Sequence, residues 1–475
     1  MKSLCGCVLV AALIALAACS SDATSSVDPT TRSAGSADTV VSTATRGTVG
    51  STSALATSTT VEPDPTNDER SASDTATEPD DADDADPADD ADPAEGDAIE
   101  EPSFELGPDI VLDVDVARFP VDDAGQGGVP ANAPDESVGG SPPVLSTGWA
   151  GFDAALESSL IRPGNTAASV AVLIDGDVVH SAAFGERDPA SGDPAEAEDR
   201  FRIASISKTI TAIVALQLVE DGVIGLDDPI GQSVADHIGA GAVGSSANLT
   251  LRQLLTHRSG FGKFDTAFFR GGSADCPEAA RQGLASGASG GGYTYSNMNY
   301  CVAGLAIEAL TGLTYEQAVY ENLLTPLGIS GMRLAPTFDP GPGETQHVTT
   351  PGRNYMETLG AAGAWVASPT DLVTIMDSLD RSTPGFKPLD DLALLEMITP
   401  FGGQLGQRGY GYGMIAYGLG RFGHTGTIES THAMLLNRGD GVTWAVTVAG
   451  QTPSPTTDLE RIVNSAFAAG GFVAG

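Results

Sequence analysis

The sequence predicts an α+β fold in which one sheet is built from both ends of a globular region and helices fill the middle. Strand-like segments lie near residues 168–184 and 434–448, and the stretch between them is mostly helical in character. The first third of the chain is acidic and of low complexity, which predicts a disordered tether. We therefore divide the 475 residues into an export signal (1–18), a tether (19–146) and one folded domain (147–475).

The N-terminus has the pattern of a bacterial export signal. Lys2 supplies a positive charge, and the apolar run from Val8 to Ala18 is too short to span a bilayer comfortably. The run ends in Leu16-Ala17-Ala18-Cys19, which is similar to the lipobox of bacterial lipoproteins. We expect an exported protein that is anchored through a lipid on Cys19 to the outer face of the cell membrane. The alternative is an ordinary signal peptide that happens to contain a cysteine.

Residues 19–146 are expected to form a solvated, self-repelling tether. The chain carries a net charge of −40, and residues 1–150 hold 29 acidic and only 5 basic side chains. Such a segment cannot bury enough apolar surface to offset the entropy lost on ordering. Residues 104–121 show a weak strand pattern, so this piece either docks on the domain or stays loose. No basic stripe is present, which argues against nucleic-acid binding.

The expected export would place the remaining cysteines in an oxidising compartment. Cys5 and Cys7 would be removed with the signal, and Cys19 would carry lipid. Cys276 and Cys301 remain as an even pair, either bridged as a disulfide or present as two separate thiols. No Cys/His cluster has the spacing of metal ligands, so we expect neither a metal nor a cofactor.

Regular elements are predicted from the start of the domain. A helix is expected over Trp149–Leu160, followed by a hairpin over Ala168–Phe184 whose turn is Asp175-Gly176, a strong hairpin signal. The stretch Ser205–Glu220 has helical character and is stopped by Gly222.

Toward the C-terminus the pattern returns to strands. Met434–Leu436 and Val442–Val448 flank a turn at residues 438–441. A closing helix is expected after Pro453 and Pro455, because apolar residues recur there with helical spacing. These residues are Leu459, Ile462, Val463, Ala466 and Phe467.

Ser205-Ile206-Ser207-Lys208 is the first of three candidate catalytic motifs. Positions i and i+3 share one face of a helix, so Lys208 can reach the hydroxyl of Ser205 and act as its base when neutral. The start of the helix adds positive potential that favours an oxyanion. Taken alone, the same pattern also describes a helix cap with a surface lysine.

Tyr295-Ser296-Asn297 is the second motif, between the glycine-rich residues 287–292 and a helix expected to begin near Tyr300. A phenol can relay a proton to a leaving group. The amide of Asn297 can hold a substrate carbonyl and the lysine together. The alternative is a turn with a packed tyrosine.

His424-Thr425-Gly426, followed by Thr427, is the third motif. If it lies on an edge strand, its small residues let a substrate backbone approach closely. The backbone N–H groups of Thr427 and Ser205 would then form an oxyanion hole. An ordinary strand histidine is the alternative for His424.

Together these motifs make residues 147–470 similar to the penicillin-recognising serine hydrolases, which include class C β-lactamases, D-alanyl-D-alanine carboxypeptidases and related esterases. Ser205-x-x-Lys208, Tyr295-x-Asn297 and His424-Thr425-Gly426 match the family's three motifs in order. Residues 249–260 and 360–372 also look like the family. In it these stretches shape the helical lobe and the cleft wall, so His257 is expected to be structural. The resemblance implies a β-lactamase/transpeptidase-like fold, with an antiparallel sheet flanked by helices and a helical lobe.

The resemblance also implies acyl transfer through a serine ester. Ser205, Lys208, Tyr295 and His424 are the expected catalytic residues. Asn297, Gly426 and Thr427 are the expected substrate-binding residues. Class C β-lactamases usually have lysine where His424 stands, and a histidine loses the permanent positive charge that would hold a penicillin carboxylate. Efficient β-lactamase activity is therefore less expected.

The substrate class stays open at this stage. A D-alanyl-D-alanine carboxypeptidase acting on peptidoglycan stem peptides is slightly favoured over an esterase, because a strand near the third motif can pair with a peptide. A catalytically silent surface binding protein on the same fold is the alternative from another class. We expect a monomer that acts on a small peptide or ester and contacts the membrane through its anchor.

Overall fold

The computed structural model describes residues 148–472, and every structural statement below concerns these residues. The predictions for the export signal, Cys19, the tether and residues 104–121 lie outside them. None of the helices between residues 148 and 472 is both long enough and apolar enough to cross a membrane.

Twelve α-helices occur in this part of the chain. They are α1 (Trp149–Leu160), α2 (Ser207–Glu220), α3 (Gly231–His237), α4 (Leu251–Leu255), α5 (Asp265–Phe269), α6 (Cys276–Ala285), α7 (Asn297–Thr311), α8 (Tyr315–Val319), α9 (Tyr355–Leu359), α10 (Pro369–Asp377), α11 (Asp391–Ile398) and α12 (Asp458–Ala469). Short 3-10 turns cover Ala204–Ile206, Gly244–Asn248 and Gly360–Ala362, and a π-helical turn covers Tyr320–Leu324.

Eleven strands accompany these helices. They are β1 (Asn165–Ile174), β2 (Asp177–Asp188), β3 (Asp193–Pro194), β4 (Phe201–Arg202), β5 (Arg333–Leu334), β6 (Trp365–Ala367), β7 (Arg408–Tyr410), β8 (Ile415–Gly418), β9 (Arg421–Ile428), β10 (Thr431–Asn437) and β11 (Val442–Gly450).

The main sheet joins the two ends of the domain, as predicted. Its order is β3-β2-β1-β11-β10-β9-β8-β7, and β1 pairs antiparallel with β11. A second sheet has the order β4-β6-β5. The predicted helix at Trp149–Leu160, the hairpin turn at Asp175-Gly176 and the closing helix are confirmed.

Helices cover both faces of the main sheet. Because side chains alternate along a strand, Val170 and Val172 pack with α1 and α12, whereas Ala171 and Leu173 pack with the helical layer on the opposite face. Helix α2 is buried on nearly every side, not on one face only. A helix surrounded in this way is a core helix. It fixes the position of the turn directly before it, which carries Ser205.

Two predicted helix starts were wrong by a few residues. Ser205 lies in the 3-10 turn Ala204–Ile206, and the α-helix begins only at Ser207. Helix α7 begins at Asn297 and not near Tyr300, because the side chain of Ser296 caps it by accepting from Met298 N.

Candidate active site

Ser205 lies at the junction between β4 and α2. Ala204, directly before it, adopts φ +46°, a left-handed conformation that is strained for a residue with a Cβ. The turn is closed by a hydrogen bond from Ile206 N to Ile203 O. Ser205 itself is half-buried, so its hydroxyl sits on a fixed turn and stays accessible.

Lys208 is completely buried beneath this serine. Its Nζ lies 2.9 Å from Ser205 Oγ, 2.8 Å from Asn297 Oδ1 and 2.8 Å from Ala362 O. The predicted contact between Lys208 and the serine hydroxyl is therefore present. Ala362 was not predicted to take part, because a backbone carbonyl leaves no signature in the side-chain pattern.

The environment of Lys208 favours its neutral form. Burial lowers the pKa of Lys208 well below its ordinary value. Within residues 148–472 no carboxylate forms an ion pair with it. A neutral amine has two N–H bonds and one lone pair, and two acceptors, Asn297 Oδ1 and Ala362 O, take the N–H bonds. The lone pair then faces the hydroxyl of Ser205, as a general base requires.

The second motif, at the start of α7, brings Asn297 and Tyr295 next to Lys208 Nζ. Asn297 is the first residue of that helix, and among the described residues no acceptor binds its Nδ2, which can donate to a substrate. The ring centroid of Tyr295 lies 5.0 Å from Lys208 Nζ, so a cation there would be favoured by the ring face. Tyr295 and Asn297 are both half-buried, like Ser205.

His257 supports the second motif from below. Its Nδ1 accepts from Asn299 Nδ2 at 2.9 Å and from Ser296 N at 3.3 Å, and its ring centroid lies 4.3 Å from that of Tyr295. An acceptor Nδ1 leaves the proton on Nε2, so this buried ring is neutral. These contacts hold Ser296, Asn299 and the Tyr295 ring in place, which is the kind of structural role expected for His257.

The third motif lies on β9, whose second half has an open edge. Strand β8 pairs only with Arg421–Gly423, so residues 424–428 are paired with β10 alone. A Cβ on Gly426 would lie 2.1 Å from Ile203 O. The glycine therefore lets the turn that carries Ser205 pack on β9, whereas the sequence suggested that it makes room for a substrate.

The register of the β9–β10 hairpin gives the direction of the Thr427 amide. Only two residues separate Ile428 from Thr431, so these two form the hydrogen-bonded closing pair. Such pairs alternate along an antiparallel ladder, which makes Thr427 and His432 a non-hydrogen-bonded pair. The N–H of Thr427 consequently points away from β10, toward the open edge.

His424 is buried and electrically neutral. Burial is the main cause that lowers its pKa to about 3, and the nearby Lys208 lowers it further, whereas the hydrogen bond to Thr425 O acts in the opposite direction. Its Nδ1 lies 2.6 Å from Thr425 O and its Nε2 lies 3.2 Å from the hydroxyl of Tyr410. Nδ1 therefore carries the proton, and Tyr410, which the sequence did not single out, donates to Nε2. The neutral ring thus holds Thr425 O and the Tyr410 hydroxyl by hydrogen bonds and presents no positive charge.

Cys276 and Cys301 are joined in a disulfide, with 5.7 Å between their Cα atoms. The bridge links the start of α6 to α7, one turn beyond Asn297. It therefore restrains the helix that carries the second motif.

No group of three or more His, Cys, Asp or Glu side chains in the described part of the chain is placed to hold a metal ion. The side chains brought together are a hydroxyl, a buried amine, a phenol and an amide. With the amide N–H of Thr427 they form the set used for nucleophilic acyl transfer.

Comparison with known families gives the same result. The model of the Beta-lactamase family matches residues 152–467. The chain belongs to the β-lactamase family. Its fold, an antiparallel sheet with flanking helices, is the β-lactamase/transpeptidase-like fold.

Members of this family with different described activities are similar to the chain. Penicillin-binding protein 4 of Amycolatopsis lactamdurans is 31% identical over 179 residues, which cover 34% of this chain and 43% of that protein. Esterase EstB of Burkholderia gladioli is 30% identical over 195 residues, covering 38% of this chain and 49% of that protein. The chain thus matches less than half the length of these two relatives.

A solved structure extends the similarity over most of the domain. The crystal structure of SurE with D-Leu is 28% identical, with a TM-score of 0.54, and the match covers 69% of this chain and 77% of that chain.

Proposed function

We propose that the protein is a serine hydrolase that works through an acyl-enzyme, with Ser205 as nucleophile and Lys208 as its base. One observation carries the proposal: Nζ of the buried Lys208 lies 2.9 Å from Ser205 Oγ and is oriented there by two further oxygens, Asn297 Oδ1 and Ala362 O. A lysine held in this way is preorganised to take the serine proton.

The proposed reaction begins with transfer of the Ser205 proton to Lys208 Nζ while Oγ attacks an ester or amide carbonyl. The ammonium that forms lies near the Tyr295 ring. Tyr295 gives its hydroxyl proton to the leaving group and takes a proton from the Lys208 ammonium, so that both side chains end neutral. Collapse of the tetrahedral intermediate breaks the bond to the leaving group and forms the acyl-enzyme. In the second half, the again neutral Lys208 takes a proton from a water molecule, whose oxygen attacks the acyl carbon. Collapse of this second intermediate breaks the bond to Ser205 Oγ, which receives the proton from Lys208 as the acid product leaves.

The N–H groups of Ser205 and Thr427 are proposed to stabilise the developing oxyanion. The amide of Thr427 points to the open edge of β9, and Gly426 allows the turn bearing Ser205 to pack against that strand. Two fixed donors around one oxygen favour the tetrahedral intermediate over the flat carbonyl.

For the substrate, we propose a peptide or amide with a D-amino-acid residue next to the scissile bond, in carboxypeptidase-like fashion. The open edge at residues 424–428 can pair with an extended peptide. Similarity to a penicillin-binding protein and to a structure described with D-Leu supports this class.

Ester hydrolysis is the second candidate, and His424 favours it. A histidine with a pKa of about 3 offers no fixed positive charge to a terminal carboxylate, whereas a neutral ester needs none. The similarity to Esterase EstB supports this candidate.

The test is intact mass spectrometry of the protein after incubation with benzylpenicillin, together with release of D-alanine from an acyl-D-alanyl-D-alanine peptide and hydrolysis of a p-nitrophenyl ester. The Ser205→Ala variant is the control. A penicillin adduct and D-alanine release on the wild type alone support the peptidase. Ester turnover without either supports the esterase. Absence of all three, or full activity in Ser205→Ala, overturns the serine hydrolase and leaves a silent binding protein.

We further propose that a lipid on Cys19 anchors the protein to the outer face of the cell membrane. The sequence at residues 16–19 is the basis for this proposal. Metabolic labelling with a fatty acid should mark the wild type but not a Cys19→Ala variant, and only the wild type should sediment with membranes. Equal labelling of both would overturn the anchor.

A further inference from the structure

Three polar side chains, from β9, β10 and the loop before α12, are joined by hydrogen bonds beside the proposed oxyanion hole. His432 Nδ1 is 2.6 Å from Thr456 Oγ1, and Thr456 Oγ1 is 2.6 Å from Thr427 Oγ1. His432 and Thr456 are buried, whereas Thr427 is half-buried. These hydrogen bonds thus run from the interior to Thr427, whose amide N–H faces the open edge of β9.

The loop that supplies Thr456 is itself fixed at its start. Asn165, on the first strand of the domain, accepts from Thr452 N at 3.0 Å and donates to Thr452 O at 2.8 Å. Thr456 lies four residues later, two positions before the start of α12. The segment that carries its hydroxyl is therefore restrained at one end by β1 and at the other by α12.

Strand β9 has a strand neighbour on only one side at this point. Beyond Gly423 it loses β8 and keeps hydrogen bonds to β10 only. Thr427 and His432 form a non-hydrogen-bonded pair, so the backbone groups of Thr427 itself make no bond to β10, and the ladder holds this residue only through its two neighbours. The contact between the two threonine hydroxyls supplies the missing restraint.

We propose that Thr456 and His432 are positioning residues, which hold Thr427 so that its N–H stays aimed at the substrate oxygen. This inference rests on the proposed function and extends it to two residues that do not touch the reacting atoms. A small displacement of an oxyanion donor weakens stabilisation of the transition state far more than binding of the substrate.

The first test replaces the hydroxyl by a methyl group of similar size. Thr456→Val should lower kcat for a p-nitrophenyl ester by about tenfold or more while KM changes less than about twofold. Thr456→Ser, which restores the hydroxyl, should recover most of kcat. A matched control is Thr443→Val, because Thr443 is also a buried threonine and accepts a hydrogen bond from Asn437, at the opposite end of β10 and β11. Loss of kcat in the control, or no recovery in Thr456→Ser, would overturn the proposal.

A double-mutant cycle asks whether Thr456 acts through Thr427. In a Thr427→Val background the further change Thr456→Val should have little effect on kcat, because the contact is already absent. Effects that simply multiply would show that the two residues act independently and would contradict the inference.

Hydrogen–deuterium exchange separates this inference from the proposed chemistry. Thr456→Val should speed exchange of the peptide covering residues 424–428, and Thr443→Val should not. This readout needs no turnover, so it tests the restraint even if Ser205 proves not to be a nucleophile. Unchanged exchange in Thr456→Val would remove the physical basis of the proposal.

Discussion

Asn297 Oδ1 lies 2.8 Å from Lys208 Nζ and joins the first residue of α7 to the first turn of α2 across 89 positions of sequence. The contact brings the second motif to the first and directs the lysine toward Ser205. A neutral amide oxygen orients the amine, and it adds no negative charge that would hold the proton on it. The low pKa of Lys208 therefore depends on both its burial and the neutrality of Asn297.

Replacing Asn297 by aspartate should raise the pKa of Lys208. A carboxylate at the same distance favours the ammonium form, so the lysine would stay protonated to higher pH and lose its function as base. We expect the acid limb of the kcat/KM profile to move to higher pH by about one pH unit or more. A profile from pH 5 to 10 for wild type and Asn297→Asp checks this. An unchanged acid limb would mean that another group titrates there.

Substituting Gly426 by alanine should damage both stability and activity. The new methyl group would lie 2.1 Å from Ile203 O, a backbone atom that cannot move without shifting the turn of Ser205. We expect a loss of about 1–3 kcal/mol in the free energy of unfolding and at least about a tenfold loss of kcat/KM. Gly292→Ala is the control, since its Cβ would meet no atom within 4 Å. Similar behaviour of the two variants would contradict this reading of Gly426.

Stability should fall as the pH drops below about 6.5. Burial lowers the pKa of His347 and of His424 to about 3. Between these values and the ordinary pKa of about 6.5, the unfolded chain binds protons that the folded protein does not, so stability is lost as pH decreases. Each histidine should contribute about 1.4 kcal/mol per pH unit in this window.

Urea unfolding at pH 5.0, 5.75 and 6.5 measures this slope. His347→Gln should make it shallower, because one of the groups that titrates only on unfolding is gone. The same slope in wild type and variant would show that His347 does not stay neutral in the folded protein.

Opening the disulfide should weaken the domain without removing any proposed catalytic group. The bridge spans 25 positions of sequence, and closing a loop of that size stabilises by roughly 3 kcal/mol when the entropy of the unfolded chain dominates. A Cys276→Ala/Cys301→Ala variant should unfold at lower urea concentration and keep activity at low temperature. An unchanged midpoint would show that the bridge adds nothing to stability.

Local pattern was enough to predict several elements. Helix α1, the hairpin turn at Asp175-Gly176 and helix α12 were predicted because periodicity and turn residues are properties of neighbours in sequence. The exact starts of α2 and α7 were not predicted. They depend on a 3-10 turn at Ala204 and on a cap by Ser296, and such boundaries are weakly encoded.

The sequence by itself determined which chemical groups are available: a serine one turn before a lysine, a tyrosine and an asparagine two positions apart, and a histidine in place of lysine in the third motif. Only the tertiary structure decided how these groups are set. It places Ala362 O on Lys208, Tyr410 on His424 and Thr456 on Thr427, and it leaves β9 open beyond Gly423. The physical reason is that burial, which shifts the pKa values, and backbone contacts, which orient the amine, arise from segments far apart in the chain. Neither leaves a mark on local composition or spacing.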